Sequence, residues 1–227
     1  MGGLDDDGNS VATVEAYNPR TSTWRSCLPL SQGRARAVAG VVGGRLVVAG
    51  GWGGVGHPKS VEAYTPTGWT PLPPLPHAAY CATACVLNGR LYVMGGEGCN
   101  KLRVLEMSEE REFAWTVKAD LPAERYAAAS AAHEGTLRLM GGYVGGDPEP
   151  STSVILYDPA NDAWAAGPDL PDPGGYGGCS ATIFDGQIHL VTRGAVLEHS
   201  EGAWAEVADR PGDTRTLDHA CASLLLG

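Results

Sequence analysis

Five tryptophans set the limits on this fold. Trp24, Trp69, Trp115, Trp164 and Trp204 step along the chain at intervals of 45, 46, 49 and 40 residues. Six residues after each comes Leu30, Leu75, Leu121, Leu170 or Arg210, and the seventh is Ser31, Pro76, Pro122, Pro171 or Pro211. Gly-Gly pairs closing an apolar run keep the same beat at 2–3, 50–51, 95–96 and 141–142, with a worn version, "VTRG", ending at Gly194. Between Gly pair and Trp sit "VEAYNP" (14–19), "VEAYTP" (61–66), "VLEM" (104–107), "VILYDP" (154–159) and "VLEH" (196–199). A chain carrying such a register is an array of like units, each burying its apolar surface against its neighbours.

Each unit contains four strand-like runs, readable in the third as "YCATACVL", "RLYVM", "LRVLEM" and "FAWTVKADLP". Turn dipeptides separate them: "NG" at 88–89, "EG" at 134–135 and "DG" at 185–186, which favour two-residue hairpins. The 32 glycines, about twice the ordinary share, agree with many tight turns. Four strands recurring every ~45–50 residues predict an all-β chain folded as a β-propeller. The first strand of each unit is built from small residues ("ARAVAG", "CATAC", "AAASAA", "GCSAT"), as expected where strands crowd around an axis. The Gly pairs mark a turn with unusual φ or a close backbone approach, and each Trp offers a flat surface for packing between blades.

The Gly pair, Tyr and Trp in register resemble the kelch family. They stand as Gly50, Gly51, Tyr64 and Trp69, and again as Gly141, Gly142, Tyr157 and Trp164. The third unit departs with Met107 at the Tyr place, and the fifth with Arg193 for the first Gly and His199 for the Tyr. No Trp is followed by Asp, which disfavours WD40 repeats. The resemblance covers nearly the whole chain and implies a kelch-type propeller of about five four-stranded blades, one incomplete.

The whole chain, 1–227, reads as one propeller domain. Its units are about 33–76, 77–122, 123–171 and 172–211, with 1–32 and 212–227 sharing a fifth. The head supplies a third and fourth strand, and "TLDHACASLLLG" (216–227) has the pattern of a first strand. The second strand of that shared blade is lacking. Two arrangements fit, a five-bladed ring short of a strand or an arc from a six-bladed ring, and the second, a fragment, is the preferred expectation.

Loops between second and third strands share a face with the segments leading into each first strand, and length variation concentrates there: "WGGVGHPKS" (52–60), "EGCNK" (97–101) and "YVGGDPEPSTS" (143–153). Variable loops on a rigid scaffold usually carry recognition. Arg34 and Arg125 each lie ten residues before an aligned hairpin glycine, with Ala79 and Tyr176 at the equivalent places. Tyr80 and Tyr126 follow by one residue, and Trp52, Glu97 and Tyr143 directly follow their Gly pairs. With His57 these residues form the expected partner-binding face. By the resemblance, arginines and aromatics at this mouth hold acidic peptide motifs, for which Arg suits bidentate carboxylate contacts. On that reading Arg34→Ala and Arg125→Ala weaken partner capture without changing the melting temperature. The other role open to each arginine is a structural pair with a neighbouring loop.

The net charge of −10, with no basic run, argues against nucleic acid. The longest apolar stretches, such as "AVAGVV", fall far below the ~20 residues of a membrane span. Asp5–Asp7 stand where a secretory signal needs a basic start, so the cytoplasm is the expected compartment. That acidic run lacks EF-hand spacing and reads as a solvated loop. Six cysteines (27, 81, 85, 99, 179, 221) contain no CxxC and read as reduced thiols, with Cys99, in a variable loop, the most accessible. His57, His77 and His219 approach the same face, yet no motif joins them into a metal site, and no cofactor is expected. The function predicted is a non-catalytic interaction module for a protein or peptide. The wording "VE-x-Y-x-P…W…LP" further resembles repeats paired with a BTB or F-box domain to choose substrates for ubiquitin ligases. The alternative is a kelch-fold enzyme acting on a sugar, epimerase-like with Arg34, Arg125 and Glu97 as candidates, or galactose-oxidase-like.

Overall fold

A computed structural model describes residues 1–54, 56–108, 112–172, 179–192, 194–200 and 202–209. Among them every regular element is a strand. The head hairpin is β1 (Glu15–Asn18) and β2 (Thr23–Ser26). Blade two is β3 (Val38–Val42), β4 (Arg45–Ala49), β5 (Val61–Thr65) and β6 (Gly68–Leu72), and blade three is β7 (Thr83–Leu87), β8 (Arg90–Met94), β9 (Leu102–Met107) and β10 (Phe113–Val117). A two-residue pair, β11 (Arg125–Tyr126) and β14 (Tyr143–Val144), flanks blade four, which is β12 (Ala129–His133), β13 (Thr136–Met140), β15 (Val154–Asp158) and β16 (Ala163–Ala166). Blade five is β17 (Ser180–Phe184), β18 (Gln187–Val191), β19 (Ala195–Ser200) and β20 (Ala203–Asp209). Each blade is an antiparallel meander in chain order.

The turns between first and second strands are of the kind the dipeptides predict. Asn88 and Gly89 have φ of 51° and 72°, and Asp185 and Gly186 have 47° and 76°. Two successive left-handed residues define the type I′ turn, whose twist matches that of paired strands.

First strands lie against one another from blade to blade, β3 on β7, β7 on β12 and β12 on β17. Their small residues permit this approach: a Cβ on Gly40 would stand 2.6 Å from Leu91 and 2.7 Å from Val86 of the next blade. The core is accordingly a series of apolar layers between blades. Val47, Ala63, Leu91 and Leu105 fill the layer between blades two and three, and Met94, Leu102, Leu139 and Tyr157 the next.

The repeated Trp and Leu hold these layers in register. Trp69, Trp115, Trp164 and Trp204 donate their indole N–H to the carbonyls of Leu28, Pro73, Ala119 and Pro168 in the preceding unit, at 2.8–3.1 Å. Each acceptor lies four residues beyond the previous Trp. Leu30, Leu75, Leu121 and Leu170 are buried, and their amides donate to Ala12, Lys59, Asn100 and Thr152 in the loops between second and third strands.

One position in the sequence register is corrected. Trp24, Trp69, Trp164 and Trp204 pair across the hairpin with Tyr17, Tyr64, Tyr157 and His199, but Trp115 faces Leu105, and Met107 pairs with Phe113. The third hairpin is longer, and a slip of two residues leaves the alternation of faces unchanged, so the pattern could not expose it.

The layer between blades four and five is partly polar. Arg138 on β13 donates to Nδ1 of His199 at 2.8 Å, so the imidazole must be neutral to accept. Burial, with Arg138 and His133 nearby, holds His199 below its usual 6.5, and Glu134 partly opposes this. A group depressed on folding stabilises above its unfolded value and loses that contribution as pH falls through the folded one. The melting temperature should fall as pH drops below 6.5, and His199→Phe should flatten that slope; equal slopes in calorimetric scans would show that the layer does not sense protons.

Candidate binding face

The Gly pairs build the face on which recognition is expected. The first glycine of each pair donates to the loop that follows it, Gly50 to Ser60 and Gly95 to Lys101. The second reaches the next unit: Gly3 donates to Arg34, Gly51 to Ala79 and Gly96 to Arg125, at 2.9–3.0 Å. The residue after each pair then joins the segment leading into its own blade's first strand. Ala35 and Trp52 exchange two hydrogen bonds, Glu97 donates to Tyr80, and Tyr126 pairs with Tyr143. Trp52, Glu97 and Tyr143 therefore occupy equivalent places, each paired with the segment that carries Ala35, Tyr80 or Tyr126.

Arg34 and Arg125 do not present their charge there. They are 1% and 4% exposed. Arg34 donates from Nη1 to the carbonyls of Gly50 and Ser60, and from Nη2 to Ser60 Oγ and Glu62 Oε1, the last at 2.8 Å. Glu62 is 2% exposed, and its second oxygen accepts the amide of Ser31. Arg125 repeats the clamp on Gly141 and Ser153, but Ile155 stands where blade two has Glu62. Burial pushes both guanidinium groups below their usual range. These two arginines clamp loops and are removed from the contact surface; a side chain this enclosed cannot reach a partner.

Among the described residues, the arginine at the mouth is Arg36. It is exposed, donates to Tyr80 Oη at 3.0 Å, and holds its guanidinium over the Tyr80 ring at 5.6 Å. His57 stacks on the Tyr80 ring, with ring centroids 4.6 Å apart and planes 20° from parallel. Exposed Glu97 is close enough to influence the Tyr80 hydroxyl, whose pKa is raised chiefly by burial. Arg36 has φ of 52°, and Cys81 and Ala127 at the equivalent places of the next blades also have 52°. On a regular strand Arg34 and Arg36 would face the same way; this left-handed residue turns the second outward. No composition signal marks it.

Tyr126 and Tyr143 stack at 5.0 Å and 15°, and both are half-buried, as is Trp52. The mouth thus offers flat aromatic surfaces beside a cation, a composition suited to carboxylates and to extended peptides. Tyr176 lies outside the described residues, as do Arg193, His219 and 216–227. Cys99 is half-buried, as are Cys27, Cys85 and Cys179, and the five described cysteines are free. Burial pushes the thiols of Cys81 and Cys179 up, away from reactive thiolates. Asp5 is exposed and caps its own turn by accepting the amides of Asp7 and Asn9. Among the described residues, no group of three His, Cys, Asp or Glu is arranged to hold a metal ion.

Four-stranded meanders whose first strands gather side by side define a β-propeller. Residues 1–30, 33–76 and 124–171, together just over half of the chain, match the family model of the kelch motif, and the chain belongs to the kelch family. It is 26% identical over 226 residues to mouse (Mus musculus) Kelch-like protein 35, covering 93% of this chain and 38% of that protein. It is 32% identical over 180 residues to human (Homo sapiens) Kelch-like protein 34, covering 74% and 27%. It is 29% identical over 157 residues to F-box protein AFR of Arabidopsis thaliana, covering 62% and 41%. The chain therefore spans less than half the length of these relatives. The solved structure of YjhT superposes with a TM-score of 0.71 at 15% identity, covering 90% of this chain and 78% of that one, a likeness of fold.

Proposed function

We propose that the chain is a non-catalytic recognition module, which binds an acidic peptide or protein segment on its loop face and serves as the substrate-recognition part of a ubiquitin-ligase adaptor in the cytoplasm. The observation carrying this reading is the exposed Arg36–Tyr80–His57 stack at the mouth. An arginine braced on an aromatic ring loses little freedom on binding a carboxylate, and its fork can take both oxygens. Trp52 and the Tyr126–Tyr143 stack supply apolar area around it, and Trp, Tyr and Arg are the residue types that dominate binding energy in interfaces. The kinship with an F-box protein supports the adaptor role, and the free cysteines suit a reducing compartment.

Panning a random peptide library on the full chain tests this. The expected result is enrichment of sequences rich in Asp and Glu, with at least about tenfold weaker binding by Arg36→Ala, a loss on the order of 1.4 kcal/mol. The melting temperature should hold, because Ala127 already occupies the same left-handed position in blade four. Enrichment of neutral peptides, or acidic peptides indifferent to Arg36→Ala, would reject the reading.

A further inference from the structure

Equivalent places in blades two, three and four differ in charge. Where blade two has Arg34 with Glu62, and blade four has Arg125 with Ile155, blade three has Ala79 with Arg103. Arg34 and Arg125 fill their forks with the carbonyls and seryl oxygen of the loop they clamp. Arg103 has no such set. Its Nη1 donates to the carbonyl of Leu102 at 2.6 Å and lies 3.6 Å from Asp120 Oδ1, and its Nε has no acceptor among the described residues. Arg34 leaves Nε unpaired too, but four acceptors occupy its fork. The Arg103 side chain is only 8% exposed. A guanidinium so enclosed and so short of acceptors is a group that an oxyanion satisfies.

Further cations gather at the same place. Lys101 pairs with the Asp120 carboxylate that Arg103 also approaches, so two cations share one exposed acid. Lys59 donates from Nζ to the carbonyl of Pro76 at 3.1 Å, which brings its ammonium to the residue before His77. His77 is exposed, and desolvation followed by the charges of Arg103, Lys59 and Lys101 holds its pKa below 6.5, against the opposing pull of Asp120. Lysine is scarce in this chain: there are three, at 59, 101 and 118, and the net charge is −10. Two of those three beside a buried arginine make a local positive field on an acidic molecule. The cluster stands on the segments that build the mouth. Lys59 follows His57 by two residues, Lys101 follows Glu97 by four, and His77 precedes Tyr80 by three, no more than about 11 Å of chain.

We propose that Lys59, His77, Lys101 and Arg103 form a subsite for a phosphate dianion, carried as phosphoserine or phosphothreonine by the acidic segment that the mouth holds. The choice of carrier rests on the recognition reading given above, whereas the anion site stands on the cluster alone. A phosphate brings three acceptor oxygens and close to two negative charges at neutral pH, which three cations sharing a single carboxylate can balance. A polyphosphate backbone is disfavoured, because the rest of this acidic surface repels it. An anion bound beside His77 favours the protonated ring and raises its pKa.

The test is an NMR titration of the full chain with inorganic phosphate near neutral pH, with acetate at matched ionic strength beside it. The expected result is saturable shifts of the amides at 59–60, 77–78 and 101–103 with phosphate alone, and a His77 titration moved to higher pH. Lys59→Gln with Lys101→Gln, two side chains outside the core, should weaken phosphate binding at least about tenfold. The comparison of phosphate with acetate decides the matter on the unaltered chain if that variant does not fold. Acidic peptides selected on the chain and bearing phosphoserine at successive positions should bind at least about tenfold tighter at one of them, a gain lost in the double variant. Absence of saturable shifts, shifts elsewhere, or equal shifts with acetate overturns the subsite and leaves the recognition of unphosphorylated acidic peptides standing. Phosphate held at the cluster with no gain from phosphoserine at any position overturns the peptide as its carrier and assigns the site to free phosphate.

Discussion

Gly95→Ala is expected to leave the chain unfolded or to destabilise it by more than about 4 kcal/mol, at the exceptional end for a single methyl group. Gly95 has φ of 65°, a conformation costing an L-residue roughly 1–2 kcal/mol. The larger effect is steric. Its Cβ would stand 2.1 Å from the carbonyl oxygen of Arg125, and that oxygen accepts the amide of Gly96. Backbone on both sides must give way, and with it the stitch between blades three and four. Gly89→Ala is the control: φ is 72°, but nothing lies within 4 Å of the added methyl, so only the conformational cost applies. Urea denaturation of the two variants should separate them widely; a similar loss in both would mean that the Gly pairs serve the turn alone.

Arg34→Ala is expected to cost about 3–5 kcal/mol, the penalty for leaving a buried charge without its partner. Glu62 would lose the guanidinium at 2.8 Å, keeping the amide of Ser31, and the carbonyls of Gly50 and Ser60 would lose donors. Replacing both charges, Arg34→Met with Glu62→Leu, should recover much of this, because paired removal leaves no uncompensated ion. Arg125→Ala should cost less than Arg34→Ala, since Ile155 stands in place of an acid there and no buried carboxylate is stranded. Chemical denaturation measures all three, and an unchanged midpoint for Arg34→Ala would refute the clamp.

The sequence makes the architecture unusually plain, for a physical reason. A repeat states its register five times, so the strands of blade three could be placed to within a few residues, and the dipeptides at 88–89 and 185–186 announce their left-handed turns. The mouth was legible as two sets of repeated positions: Trp52, Glu97 and Tyr143 follow their Gly pairs, and Tyr80 and Tyr126 stand on the segments paired with them. Which arginine faces outward was not legible. Arg34 and Arg36 differ by one period of a strand, and only the left-handed φ at Arg36 assigns one to the interior and one to the surface. Nothing in its residue type signals that conformation, since Cys81 and Ala127 adopt it too. The Glu62 partner was visible only in retrospect, as an acid inside "VEAYTP" whose equivalent in blade four is Ile155. Likewise, Trp24 is 68% exposed, although its letter matches the other four.

Hydrogen exchange on the full chain, with and without a selected acidic peptide, tests the recognition account most directly. Protection is expected in the loops around Trp52 and His57, at Tyr80 and Glu97, and at Tyr126 and Tyr143, with no change in the hairpins at 43–44, 88–89 and 134–135 on the opposite face. Protection confined to those hairpins, or spread evenly over the blades, would contradict it.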